Sequence, residues 1–355
     1  MTHETAYARA GVDIAAGDRA VELMKEHVAG TRRPEVLGGL GGFAGFFDAA
    51  AFKDYRHPVL ATSTDGVGTK VDIARRMKVY DTIGFDLMGM LVDDLVVVGA
   101  EPLFVTDYIS CGHVDPEVIA SLVKGIAQAC QKAGCALLGG ETAEHPGLLA
   151  PDEFDVAGAT TGVVERDEIL GPERIAEGDA LIAVASSGLH SNGYSLVRHV
   201  LLEQAGWTLD RHVDELGRTV GEELLEPTIV YAADLLALAQ HSEVHAMCHV
   251  TGGGLANNLT RVMPSHLTAT IERSTWSPAP IFRLVQEVGD VSQSDIEETL
   301  NMGVGMVIAL PDDQVSEALE FLAGRGLTAW QCGTVASRES SDVPAVSLLG
   351  GYSMD

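Results

Sequence analysis

The chain has 355 residues, with 51 Asp and Glu against 23 Lys and Arg and a formal net charge of −28. So negative a surface excludes nucleic acid and anionic membranes as partners, since binding either uses a basic face. Hydrophobic residues at 46% and charged residues at 21% are the proportions of a folded globular protein, and the length allows two domains with a core each.

No uninterrupted apolar run approaches the roughly 18 residues of a membrane span. The polar opening at residues 1–7 lacks the apolar stretch of a signal peptide, so a cytoplasmic protein is expected. Five cysteines, at positions 111, 130, 135, 248 and 332, form no C-x-x-C pair. That pattern argues against a disulfide framework and a zinc site, and free thiols in apolar surroundings suit a reducing compartment.

Residues 1–20 lack sustained apolar periodicity and are expected to form a mobile arm. A short helix is predicted over residues 20–29, carrying Lys25. The glycine-rich stretch 38–45 partly mimics a dinucleotide fingerprint, but no strand is predicted before it and no helix opens from it. From residue 58 strand and helix signals alternate: strand 59–64, helix 82–98, strand 103–110, helix 116–132, a short strand 136–138 and a long strand 154–165. The charged, Gly/Pro-containing segment 165–179 is the predicted domain boundary. Beyond it come strand 180–185, helices 192–205 and 222–239, strand 244–250, helix 254–262, strand 267–271, helix 280–288, strand 303–310 and helix 312–323. The alternation predicts an α/β or α+β fold, with domains at 21–168 and 169–340 and a frayed tail at 341–355.

The densest chemistry lies in Ser63-Thr64-Asp65-Gly66-Val67-Gly68-Thr69-Lys70, at the predicted end of a strand. Gly66 and Gly68 let backbone approach a ligand, Asp65 offers oxygen to Mg²⁺, and Lys70 offers an ammonium to phosphate. The order Thr-Lys is not that of a Walker A loop. In so acidic a chain the cations Lys25, Arg32, Arg33 and Lys70 stand out, either as phosphate contacts or as surface ion pairs.

Within helix 82–98, Asp93 is assigned to the exposed stripe and Asp94 to the buried one, where a carboxylate needs a partner such as a metal. Glu141, in Gly139-Gly140-Glu141-Thr142, is expected at a strand end, where α/β sheets place ligands, the alternative being a solvated turn residue. The loop 186–194 joins a strand to a helix. Ser187, Gly188, Ser191 and Asn192 there suit an anion, and His190 suits general acid work or, alternatively, helix capping. Gly252 and Gly253 form another strand-to-helix turn. His245 and His249 read as core or supporting residues rather than a zinc pair.

Taken in order, these motifs resemble phosphoribosylformylglycinamidine cyclo-ligases, the aminoimidazole ribonucleotide synthetases. The matching blocks are 10–14, 31–36, 38–43, 64–70, 81–84, 99–103, 139–144, 187–198, 249–254 and 303–306, spanning nearly the whole chain. The resemblance implies ATP-dependent ring closure of formylglycinamidine ribonucleotide in purine biosynthesis. ATP phosphorylates the formamide oxygen, an amidine nitrogen attacks the activated carbon, and phosphate leaves. It implies Asp65 and Asp94 as Mg²⁺ ligands, Lys25 and Lys70 as phosphate contacts beside Gly66, Gly68 and Thr69, and Asp65, Glu141 and His190 as catalytic groups. Ser187, Gly188, Ser191, Asn192, Gly252 and Gly253 would meet the ribonucleotide. It further implies an ATP-binding N-terminal domain that pairs with its copy into a β-barrel homodimer, and a C-terminal α/β domain closing the cleft.

The chain departs from the family pattern at Ser63, Asp93 and His145. Related enzymes are weighed against it. A selenophosphate synthetase needs a reactive Cys that 38–45 lacks, the amidotransferase of the preceding step is longer, and a thiamin-phosphate kinase lacks the 31–34 and 187–194 blocks. A nucleotide-binding regulator without turnover fits poorly with Asp65, Asp94, Glu141, Lys70 and His190 all present.

Overall fold

The computed structural model describes residues 14–39 and 41–353. Most of the expected N-terminal arm, residues 1–13, lies outside them, as do the last two residues. Chain contacts divide the molecule into two units, one made of residues up to 95 together with 101–166, the other of 96–100 together with the chain from 167 onward.

The first unit opens on helix α1, Ile14–Ala29, which starts before the predicted Ala20. Ala20, Met24 and Val28, spaced by four, form its buried stripe, and the residues ahead of them continue the helix because Ala15 and Ala16 favour it. The short strands β1, Val36–Leu37, and β2, Phe46–Phe47, pair antiparallel around the glycine stretch. A strand therefore does precede those glycines, and Gly38 and Gly41 turn the chain at positive φ.

Strand β3 spans Pro58–Gly66, followed by α2, Lys70–Met77, and α3, Ile83–Val96. Next come β4, Glu101–Cys111, α4, Pro116–Ala133, β5, Ala136–Glu144, and β6, Phe154–Glu165. They build a four-stranded sheet in the order β3-β6-β4-β5, with only the β4–β5 pair parallel. Helix α3 lies against one face. A side chain at Gly158 would strike Leu91, and one at Gly162 would strike Leu95. The helices α3 and α4 meet at Gly84, where an added Cβ would fall 2.0 Å from the Ile126 nitrogen. Helix α4 is capped by Asp115 and closed by Gly134 at φ +76. On the other sheet face Leu60, Thr62 and Thr64 are exposed.

The second unit contains β7, Ala180–Ala185, and α5, Tyr194–Arg198, which passes into a wider π turn at His199–Gln204. The hairpin β8, His212–Val213, with β9, Arg218–Thr219, precedes α6, Val220–Leu224, and α7, Ala232–His241. The single helix expected over 222–239 is broken by Pro227, which cannot donate in a helix interior. Then follow β10, Ala246–His249, α8, Gly254–Thr260, β11, Leu267–Glu272, α9, Pro280–Gly289, α10, Gln293–Glu297, and β12, Val304–Leu310. The last elements are α11, Val315–Gly324, β13, Ala329–Ser337, and β14, Val346–Leu349.

These strands form a six-stranded sheet in the order β10-β12-β7-β13-β11-β14. Every neighbouring pair is antiparallel except β11 with β14. Two sequence expectations change here. Strand β13 was not predicted, because its weak alternation and Gly333 hide it; that glycine is needed, since a Cβ there would lie 2.0 Å from the Thr270 carbonyl oxygen. The tail predicted to fray instead supplies β14. It is held further by Arg273, which donates to the carbonyl of Leu348 at 2.7 Å, and by the Tyr352 hydroxyl, which donates to Glu297 at 2.8 Å. All five cysteines are buried free thiols.

Candidate active site

In the first unit, Asp65 sits one residue from the end of β3, exposed, with Oδ1 accepting from the Gly66 N–H at 2.7 Å. Gly68 then turns at φ +76 with open space where a Cβ would stand, and Thr69 begins α2. The strand thus delivers a carboxylate and a stretch of bare backbone to one edge.

Lys70 is different from the expectation. It is fully buried, and its Nζ donates to Asp86 Oδ1 at 2.7 Å, both side chains at 0% exposure. A phosphate contact through Lys70 is not available in this arrangement. Its partner Asp86 had no role in the sequence reading, although a carboxylate between Phe85 and Leu87 inside an apolar helix signals a paired charge.

The two acids of α3 are also exchanged. Asp93 is buried at 0% exposure, whereas Asp94 is exposed. Asp86, Met90 and Asp93 follow spacings of four and three and so share the buried face, which rotates Asp94 outward. Burial therefore gives no argument for metal at Asp94. Among the described residues, no group of three or more His, Cys, Asp or Glu side chains could hold a metal ion.

Glu141 is exposed and lies inside β5, opposite Tyr108 of β4, because β5 runs on to Glu144 instead of stopping at 138. Glu144 accepts from the Val114 N–H and pins the turn after β4. Lys25 is exposed on α1 and pairs with Glu22. Arg33 bonds Glu101 at 2.8 Å and the Gly134 carbonyl at 3.0 Å, which makes it a structural tie.

Glu141 lines a cleft of about 590 Å³ together with Asp107, residues 39 and 41–45 of the glycine-rich stretch, and one side of α1. Asp107 falls within a strand, and no sequence motif marks it. Burial pushes its carboxyl up to about 7.

In the second unit the loop after β7 folds back on itself. His190 is buried, at φ +60, and its Nε2 accepts from the Ser187 N–H at 3.2 Å. Ser187 Oγ donates to the Pro227 carbonyl at 2.6 Å, and Gly188 O accepts from Ser186 Oγ and Asn301 Nδ2. Gly193, at φ +74, occupies the cap position of α5 and has no side chain to bond there. The Ser191 hydroxyl is buried with no partner among the described residues.

The same fold brings Asn192 to the 251–254 turn: a Cβ on Gly252 would lie 3.4 Å from Asn192 Oδ1. Asn258 Nδ2 donates to the carbonyls of Thr251, Gly252 and Gly254 and fixes that turn. Gly253 adopts φ +98. Ser187, Gly188, Ser191, Asn192, Gly252 and Gly253 thus border one locality. His245 pairs with Asp179 at 2.7 Å, a supporting contact within the sheet.

Comparison with known proteins agrees with this division. Residues 47–164 match the family described as AIR synthase related protein, N-terminal domain, and residues 176–345 match its C-terminal domain. The phosphoribosylformylglycinamidine cyclo-ligase of Geobacillus sp. (strain WCH70) is 49% identical over 346 residues, 98% of each chain. That of Bacillus cereus (strain G9842) is 49% identical over 91% of this chain and 93% of its own. Among solved structures, thiamine-monophosphate kinase from Stenotrophomonas maltophilia K279a superposes with a TM-score of 0.69 at 18% identity, covering 94% of this chain and 97% of the other. Hydrogenase maturation protein HypE in complex with ATP superposes at 0.61 and 17% identity, covering 98% and 92%. Those two likenesses concern fold alone. The full-length identity to the curated enzymes goes further: this chain belongs to the phosphoribosylformylglycinamidine cyclo-ligase family of enzymes.

Proposed function

We propose that the protein closes the imidazole ring of aminoimidazole ribonucleotide from formylglycinamidine ribonucleotide in purine biosynthesis, using ATP and releasing ADP and phosphate. The observation that carries this reading is the 49% identity over 98% of both chains to a curated cyclo-ligase. The chemistry asks for positioning and charge stabilisation around a phosphoryl group more than for covalent work by the protein. The γ-phosphoryl group passes to the formamide oxygen, the amidine nitrogen bonds to that carbon, and phosphate leaves with the C–O electrons.

Asp65 and Asp94 would hold Mg²⁺. Both are exposed oxygen donors, the ligand type that Mg²⁺ takes alongside waters and phosphate oxygens. When bound, Mg²⁺ supplies charge neutralisation at the triphosphate. The backbone at Gly66, Gly68 and Thr69 would approach the phosphates, with Lys25 as a mobile cation at the rim, while Lys70 keeps the supporting helices together. Glu141, in the first unit, and His190, in the second, are each proposed as catalytic groups. His190, accepting at Nε2, is held in the tautomer that carries its proton on Nδ1. Ser187, Gly188, Ser191, Asn192, Gly252 and Gly253 would bind the ribonucleotide, and the unpartnered Ser191 hydroxyl supports that assignment.

The exposed sheet face with Leu60, Thr62 and Thr64 would pair with a second copy as a β-barrel, giving a cytoplasmic homodimer. The test of the activity is ADP release with formylglycinamidine ribonucleotide, against thiamin monophosphate as control. Release with the first alone is expected, and release with thiamin monophosphate alone would replace this reading by a kinase.

A further inference from the structure

Asp107 occupies an unusual position. It lies on β4, in register with Gly158 on one side and Gly140 on the other. The two neighbours are glycines, and a Cβ at Gly140 would stand 1.7 Å from Asp107 Oδ1. The adjacent strand has cleared room for this carboxyl. Asp107 is half-buried, and among the described residues no cation and no side-chain donor meets it, so its carboxyl oxygens are open to a ligand's N–H groups.

The cleft it lines narrows the choice of partner. Ala20, Val21 and Met24 of α1 give one apolar wall, and Gly139 and Gly140 give bare backbone opposite. Such walls suit a flat group. A carboxylate at the side repels phosphate and attracts N–H donors. The volume, about 590 Å³, is that of a small-molecule site.

We propose that Asp107 is a binding residue for a planar N–C–N edge, the amidine-type group that presents two nitrogens side by side to the two carboxyl oxygens. This rests on the proposed function, in which both substrates bring such an edge, the ribonucleotide as its amidine and ATP as N1 and the 6-amino group of adenine. Held by burial near neutrality, at about 7, the group offers both pairings. As carboxylate it accepts two N–H bonds from an amidinium. As carboxylic acid it donates one bond to a ring nitrogen and accepts one from an amino group.

Calorimetry on the full chain separates the two sources without needing turnover. One arm compares formylglycinamidine ribonucleotide with formylglycinamide ribonucleotide, where an amide replaces the amidine. The other compares ATP with ITP, which lacks the amino group. A site built to hydrogen-bond a group rejects an analogue lacking it by roughly 100-fold or more, and such a preference is expected in one arm. Asp107→Asn, which keeps the shape, is expected to reduce that same preference to within about threefold, and Gly140→Ala to act likewise by displacing the carboxyl. Loss in the first arm assigns the edge to the ribonucleotide, loss in the second to ATP. Equal binding within both pairs by the unmodified protein overturns the proposal, with no variant required. A preference that survives Asp107→Asn in a folded protein overturns it too. Failure of the cyclisation assay alongside an Asp107-dependent ATP preference would instead reject only the proposed reaction.

Discussion

The Lys70–Asp86 pair shows how one buried contact reassigns a residue. An ammonium at 0% exposure and 2.7 Å from a carboxylate is part of the scaffold between α2 and α3. Removing one partner leaves the other charge buried, a loss of about 3–5 kcal/mol. Lys70→Ala is therefore expected to lower the urea midpoint sharply, while Lys70→Met combined with Asp86→Leu recovers much of it. A Lys70→Ala protein of unchanged stability but weakened ATP affinity would return Lys70 to the phosphate site. For Asp65, whose exposed carboxylate accepts from the Gly66 N–H, Asp65→Asn is expected to raise the Mg²⁺ concentration needed for half-maximal activity about tenfold with little change in stability. A Mg²⁺ titration overlaying that of the unmodified enzyme would remove Asp65 from the metal.

At the scale of elements, the C-terminal strand β14 depends on a small polar knot. Burial alone would raise the Glu297 carboxyl, but hydrogen bonds from Arg273, Gln293 and Tyr352 outweigh it and hold Glu297 below its ordinary value. A depressed carboxylate stabilises the fold above its unfolded pKa of about 4.3, and that contribution is lost as pH falls through the folded value. Tyr352→Phe removes one bond to a charged group, a loss of about 1.5–3 kcal/mol at pH 7. The variant should approach the unmodified protein in stability as pH drops below 4, measured by denaturant unfolding at each pH. A constant difference across that range would mean that packing, not the charged bond, is responsible.

At the scale of the whole molecule, the open face of the β3-β6-β4-β5 sheet carries Leu60 at 60% exposure, in a strand that alternates exposed and half-buried residues over most of its length. Contiguous exposed apolar patches mark interaction surfaces. Here Ala157, Ala159 and Thr161 alternate along β6 beside it. Under the proposed pairing, Leu60→Lys is expected to shift the sedimentation profile from dimer to monomer at micromolar concentration. Unchanged sedimentation of the variant would place any pairing surface elsewhere.

Much of this was legible in the residues themselves. Strand β6 carries alternation, strand β7 a short continuous apolar run and helix α4 a full set of caps, so local physics alone fixes their type and nearly their ends. The glycine motifs also marked turns that the structure contains, at Gly68, Gly193 and Gly253. What remained hidden depends on neighbours distant in sequence. Which of Asp93 and Asp94 points inward is set by how α3 rolls against its sheet, and a pair of adjacent acids carries no sign of that rotation. Strand β13 exists because β7 and β11 leave a gap between them, and β14 because β11 leaves an edge. Lys70 became scaffold, and Asp107 a lining residue of the cleft, only when helices and strands from separate stretches closed around them, since burial and charge pairing belong to the packed molecule and not to the local chain.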